Sequence, residues 1–180
     1  MNNTAAFLCL AIFVFTAKNA LADDSSGGMV EMDVTGTVVA AACDIDEPDQ
    51  NQPISLGSFS SSTFKTIDDT SAASNLLIHL TDCSSASSGV KVTFSGTVDS
   101  DNPQLLALSD TSNSGGMASG VGIEVLDGNK KTVPINTASD VISLDGSDAT
   151  LTFFLRYKAT KIPVNPGNAS SIMYFDMAYQ

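Results

Sequence analysis

Apolar and polar residues alternate from Met173 to Tyr179. Met173, Phe175, Met177 and Tyr179 fall on one side of an extended chain, and Tyr174, Asp176 and Ala178 on the other. The alternation predicts a strand over 171–179 that brings the chain to Gln180, with no residues after it to cover it. At a sheet edge such a strand presents a row of unpaired N–H and C=O groups, which soluble proteins blunt or fill with another strand. Other short segments with β-branched or alternating apolar residues lie at 30–40, 53–57, 75–82, 89–98, 121–126, 141–144 and 150–157, between clusters of Gly, Pro, Asn, Asp and Ser. This spacing predicts an all-β sandwich or barrel. Asp127-Gly128-Asn129 is a hairpin signal, Asp145-Gly146 a second turn, and Ser84 to Ser88 a loop. No long 3.6-residue period occurs, so any helix is short, and Thr63 to Leu77 is the stretch least defined by pattern.

The first residues follow a different pattern. Ala5 to Thr16 is an apolar run too short to span a bilayer, and Ala20-Leu21-Ala22 has the small-x-small form of a secretory cleavage site. Residues 1–22 are therefore expected to be a signal peptide, although no Lys or Arg precedes the apolar run. Cys9 leaves with it, and Cys43 and Cys83 remain. An even pair in an exported protein predicts one disulfide, with a single possible connectivity.

Composition narrows the class further. Removing the signal leaves 158 of the 180 residues, enough for one domain with its own core, and 43% apolar content is ordinary for a globular chain. The formal charge moves from -12 to -13 with the loss of Lys18, which argues against nucleic acid and against anionic membrane surfaces. No second apolar stretch is long enough to anchor the chain.

Candidate chemistry is sparse. Asp44, Asp46, Glu47 and Asp49 resemble the opening of a calcium loop, but Asp49 and Ser55 stand where that loop needs Gly and Glu, so a solvated loop is expected. His79, the only histidine, is placed on the outer face of a strand with Leu77 and Thr81, where it makes no metal site. No nucleophile elbow occurs, no base sits beside any serine, and Gly115, Gly116, Gly120 and Gly122 read as turn residues. Asn168-Ala169-Ser170 matches a glycosylation sequon that matters only in a eukaryotic secretory pathway. The residues offer no catalytic constellation and no cofactor site.

The segment Asp23 to Thr37 is left unexplained by that reading. Val30, Met32 and Val34 share one face, Glu31, Asp33 and Thr35 the other, and Gly28 extends the apolar face without a side chain. The flank DDSSGG cannot hold structure alone. This is a potential strand on a flexible leader, and its physical complement is the open C-terminal strand of another copy.

With that pairing in view, the chain resembles the type 1 fimbrial pilin family of the chaperone-usher pathway. The resemblance spans GTVVAAACDID, ISLGSF, LLIHLTDC, VKVTFSGTVD, GVGIEVLDGN, LRYKAT and Pro166-Gly167-Asn168-Ala169. Its most specific part is the C-terminal signature: Gly167 fourteenth from the end, Tyr179 penultimate, and alternating apolar residues between them. The resemblance implies an incomplete immunoglobulin-like sandwich lacking its last strand. It implies a donor-strand extension over 23–36, with donor residues Gly28, Val30, Met32 and Val34, and a pilin domain over 37–180. Met173, Phe175, Met177 and Tyr179 would form one wall of an acceptor groove, and a first strand around Gly36 to Ala41 the other. Many members carry a Gly in the donor strand for a shallow pocket; here either Gly28 supplies it or Val30 occupies that register. The implied partners are a periplasmic pilus chaperone, an outer-membrane usher and neighbouring pilin subunits in a head-to-tail polymer, with no nucleic acid. The implied location is the cell-surface fimbrium, reached through the periplasm, with a role in adhesion. A major subunit, a minor adaptor and a terminator remain open, whereas a two-domain tip adhesin is not expected at this length. A secreted carbohydrate-binding β-sandwich is the alternative of another class. It is disfavoured by the absence of Trp and the presence of only 3 Tyr.

Overall fold

A computed structural model describes residues 43–180. The expected signal peptide, the extension 23–36 with its donor residues, and the first strand around Gly36 to Ala41 lie outside the described residues. In chain order the strands are β1 (Asp44–Ile45), β2 (Ser74–Thr81), β3 (Gly89–Ser95), β4 (Val121–Leu126), β5 (Ile142–Ser143), β6 (Ala149–Ala159) and β7 (Tyr174–Tyr179). They form two antiparallel sheets, one ordered β1-β2-β6-β4 and the other β5-β3-β7.

Period-two patterning decides which side chains enter the space between the sheets. From β2 come Leu76, Ile78 and Leu80, from β3 Val90, Val92 and Phe94, and from β6 Leu151, Phe153, Leu155 and Tyr157, all buried. The polar partners in these strands face outward: Lys91, Thr93 and Thr152 are partly buried and Thr150 is exposed. Phe94 and Phe153 meet edge to face across the two sheets, an arrangement favoured by the ring quadrupoles. The Cys43–Cys83 disulfide ties the start of β1 to the end of β2, as the cysteine count predicts.

Strand β4 departs from simple alternation, since all six of its residues are buried. Val121, Ile123 and Val125 join the core. The other face carries Gly122, and a Cβ there would stand 3.0 Å from Leu105 Cβ. Gly122 is thus a close-packing glycine inside a strand, not the turn residue expected from sequence. The free edge of β4 is also covered. Leu106 exchanges two main-chain hydrogen bonds of 2.9 Å with Ile123, and Val133 N–H donates to Val125 at 2.9 Å. The Asp127 turn forms as expected, closing through Lys131 N–H to Asp127 Oδ1 and Asp127 N–H to the Lys131 carbonyl, both at 2.9 Å.

Two further expectations are corrected. Residues 53–57 form no strand; Pro53 lacks an N–H, Gly57 adopts a φ of 83°, and the segment passes without a ladder. Nor is Asp49 a solvated loop residue. It sits in a 3-10 turn, Glu47–Asn51, is only 8% exposed, and its carboxylate makes three hydrogen bonds, two with His79 and one with Gln52. Thr63 to Leu77 contains no helix beyond the 3-10 turn Ser61–Thr63 that overlaps its first residue, and β2 begins at Ser74.

Candidate strand-acceptor groove

β7 pairs with β3 in unbroken register from Tyr174↔Ser95 to Tyr179↔Val90. Among the described residues no strand pairs with its other edge. The direction of its main-chain groups follows from β3. Val92 and Phe94 direct theirs away from β7, to Ser139 and Asn136. Lys91 and Thr93 therefore serve β7, bonding their partners Ala178 and Asp176. By the same alternation Phe175, Met177 and Tyr179 aim their N–H and C=O groups at the open edge. These are also the residues whose side chains turn toward the core, where each is half-buried and packed against it. Met173, just before the strand, behaves the same way.

Among the described residues the sandwich is open beside this edge. A cleft of about 820 Å³ runs between Ser171–Phe175 on one side and Ile45 with Asp49–Gly57 on the other. Its floor is the core itself: Leu76, Phe94, Ile123, Leu155 and Tyr157. Of the expected groove residues, Met173 and Phe175 line this cleft, whereas Met177 and Tyr179 lie further along the same face. There the Tyr179 hydroxyl donates to the Cys43 carbonyl at 3.4 Å, bridging the end of β7 to the first cysteine. Burial, with the nearby Asp44 charge, pushes the Tyr179 phenol above the usual tyrosine range. On the floor, Tyr157 donates to the Ala169 carbonyl at 2.6 Å, and burial pushes its phenol up as well.

Gly167 holds the chain leading into β7. A Cβ on it would fall on the backbone of Gly116, Met117 and Ala118, while Ala118 N–H donates to the Asn168 carbonyl at 2.8 Å and Asn168 N–H to the Gly116 carbonyl at 2.8 Å. Two backbones approach too closely there for any side chain, which gives this glycine a steric cause.

Sequence reasoning missed two polar clusters. Asp49, Gln52 and His79 form one on the cleft wall. Glu124 forms the other, on the outer face of the four-stranded sheet. It is 1% exposed and accepts from Arg156 at 2.7 Å, Thr132 at 2.9 Å and Lys158 at 3.2 Å. The signal for Glu124 was a lone acid in an apolar strand, opposite Arg156 in the β4–β6 register. Among the described residues no group of three or more His, Cys, Asp or Glu side chains could hold a metal ion.

Comparisons with known proteins agree with this architecture. The uncharacterized fimbrial-like protein YcbU of Escherichia coli K12 is 36% identical over 181 residues, covering 100% of both chains. The S-fimbrial protein subunit SfaG of Escherichia coli O6:K15:H31 is 38% identical over 83% of this chain and 82% of its own. Among solved structures, the P pilus rod subunit PapA superposes with a TM-score of 0.65 at 23% identity, over 78% of this chain and 100% of its own. A type I fimbria protein of Burkholderia pseudomallei gives a TM-score of 0.60 at 28% identity, over 78% of this chain and 91% of its own. The fold is an immunoglobulin-like sandwich lacking a strand at the β7 edge among the described residues. Since the family model described as Fimbrial protein matches residues 32–180, the chain belongs to the fimbrial protein family.

Proposed function

We propose that this chain is a structural subunit of a chaperone-usher fimbria that polymerises by donating the strand around Gly28, Val30, Met32 and Val34 to the β7 groove of a neighbouring copy. The observation that carries the reading is the outer edge of β7, which no strand among the described residues pairs with and which stands beside a cleft floored by core side chains. Strand addition fits such an edge: ladder bonds supply affinity, and alternate side chains set register, as in the complementation of pilins by a donated strand. Burying Val30, Met32 and Val34 would contribute about 5–9 kcal/mol before ordering costs. One donor and one acceptor per subunit make a head-to-tail contact that does not close on itself, hence a filament.

In this role the subunit is held in the periplasm by a chaperone, assembled at an outer-membrane usher and displayed in the surface fimbrium, where it supports adhesion. The role is structural and non-enzymatic. The test is deletion of residues 23–35 beside the milder change Met32→Asp, which buries an unpaired carboxylate in the partner's groove at a cost of several kcal/mol. Both variants should be recovered as soluble chaperone complexes, and both should fail to add to wild-type complexes in a strand-exchange assay. Fibre extension by the deletion variant, or its failure to fold on the chaperone, would overturn the reading.

A further inference from the structure

The cleft is flanked by two strand edges, not one. β7 borders it from the three-stranded sheet. From the other sheet, β2 pairs with β1 only at Leu80 and Thr81, leaving the edge from Asn75 to His79 without a strand among the described residues. The odd-numbered residues face that edge, because the His79 carbonyl accepts from Asp46 N–H at 3.1 Å and the Leu77 carbonyl from Gln52 Nε2 at 2.7 Å. An incoming extended segment could in principle ladder onto either sheet.

We infer that Asp49 and Gln52 are specificity-determining residues that plug the β2 edge and so direct the donated strand to β7. Their side chains take the positions a strand's main chain would fill. The Asp49 carboxylate accepts from His79 N–H at 2.6 Å, where a strand would offer a carbonyl. The Gln52 amide donates to the Leu77 carbonyl, where a strand would offer an N–H. The plug is itself fixed. Asp49 is 8% exposed, lies 2.7 Å from His79 Nδ1 through the same oxygen, and also accepts from Gln52 Nε2. Both residues line the cleft, so they meet whatever enters it. Main-chain affinity alone cannot distinguish the two edges, since every strand carries the same donors and acceptors. Occupying one edge with side chains leaves a single acceptor.

This inference rests on the donor-strand reading, and the experiment separates the two. A synthetic peptide of residues 23–37 is exchanged into the chaperone complex of the full chain, and hydrogen–deuterium exchange is followed in segments 74–79 and 173–180. In the wild type 173–180 should stay protected once the peptide has displaced the chaperone, exchanging at least about tenfold more slowly than an unpaired strand, and 74–79 should be unchanged. In the Asp49→Ala/Gln52→Ala variant the peptide should also slow exchange in 74–79, while Asp49→Asn, which keeps an acceptor oxygen, should behave as wild type. Gln52→Ala alone retains the Asp49 contacts to His79 and serves if the double variant does not fold; new protection in 74–79 is expected there too. Protection confined to 173–180 in both opened variants overturns the plug and leaves the donor reading intact. Absence of protection in 173–180 of the wild type overturns the donor reading and the plug with it.

Discussion

The ring of Phe94 meets that of Phe153 with centroids 4.8 Å apart and planes at 85°, joining β3 to β6 at the centre of the sandwich. Both rings are fully buried, and Phe94 also forms part of the cleft floor. Truncating Phe153 removes the transfer energy of a large ring, leaves a cavity and loses the edge-to-face contact. Phe153→Ala should therefore cost about 3–5 kcal/mol. Urea denaturation of the peptide-complemented subunit, compared with wild type, measures it; a shift below 1 kcal/mol would mean that the two sheets are not held together here.

Glu124 sets an acid limit on stability. Burial pushes its carboxyl up, but hydrogen bonds from Arg156 and Thr132 and the charges of Arg156 and Lys158 outweigh this and hold it below the ordinary value of 4.5. The folded state therefore binds fewer protons at this site than the unfolded chain. The stabilisation is present above the ordinary range and is lost as pH falls from 4.5 through the lower folded value. Asp69, Asp110 and Asp140 are also held low and add to the same slope. Glu124→Gln isolates the buried group. It should lower stability at neutral pH by about 1–3 kcal/mol and flatten the dependence in acid. Urea midpoints of both proteins across that range provide the check, and parallel curves would exclude the mechanism.

At Gly167 the smallest possible change should be severe. The added methyl of Gly167→Ala has no space between two backbones, so relief requires separating the segment before β7 from Gly116–Ala118. A loss of about 1–3 kcal/mol is expected, as for overpacking. Thermal unfolding and the recovery of chaperone complex should both fall. Gly115→Ala makes a poor mimic, because that residue has open space around it but a φ of 69°.

The disulfide supplies a fourth test. Cys43 and Cys83 are 40 residues apart, and closing such a loop is worth about 4 kcal/mol in the chain-entropy model. Peptide mapping of the exported protein without reductant should recover both cysteines in one linked species. Cys83→Ser should reduce its recovery from the periplasm, and free thiols at full yield would contradict the role.

Much of the sandwich was legible because burial on one face writes itself as period two. β2, β3, β6 and β7 all carry that signature; β2 and β6 lie within two residues of their expected spans, while β3 stops three residues short of its expected end and β7 starts three residues after its expected beginning. The face of Met173, Phe175, Met177 and Tyr179 was readable for the same reason. The opposite wall of the cleft was not. Ile45 to Gly57 has no period, because its path is set by Asp49 and Gln52 reaching β2 main-chain groups some 25 to 30 positions away. Gly122 misled because a glycine that admits Leu105 looks in sequence like one that makes a turn. Glu124 stayed hidden because its hydrogen-bonding partners belong to β6 and to the segment beyond the β4 turn.

The cover that Leu106 and Val133 place over the edge of β4 has a consequence for the whole fibre. In the language of step-growth chemistry, a subunit with one donor and one acceptor has a functionality of two, and such monomers give only linear chains. A third reactive edge would raise the functionality to three and introduce branch points. Branched growth ends in a gel instead of a thread. The backbone bonds along β4 thus bear on the material state of the assembly as much as on the stability of the single domain.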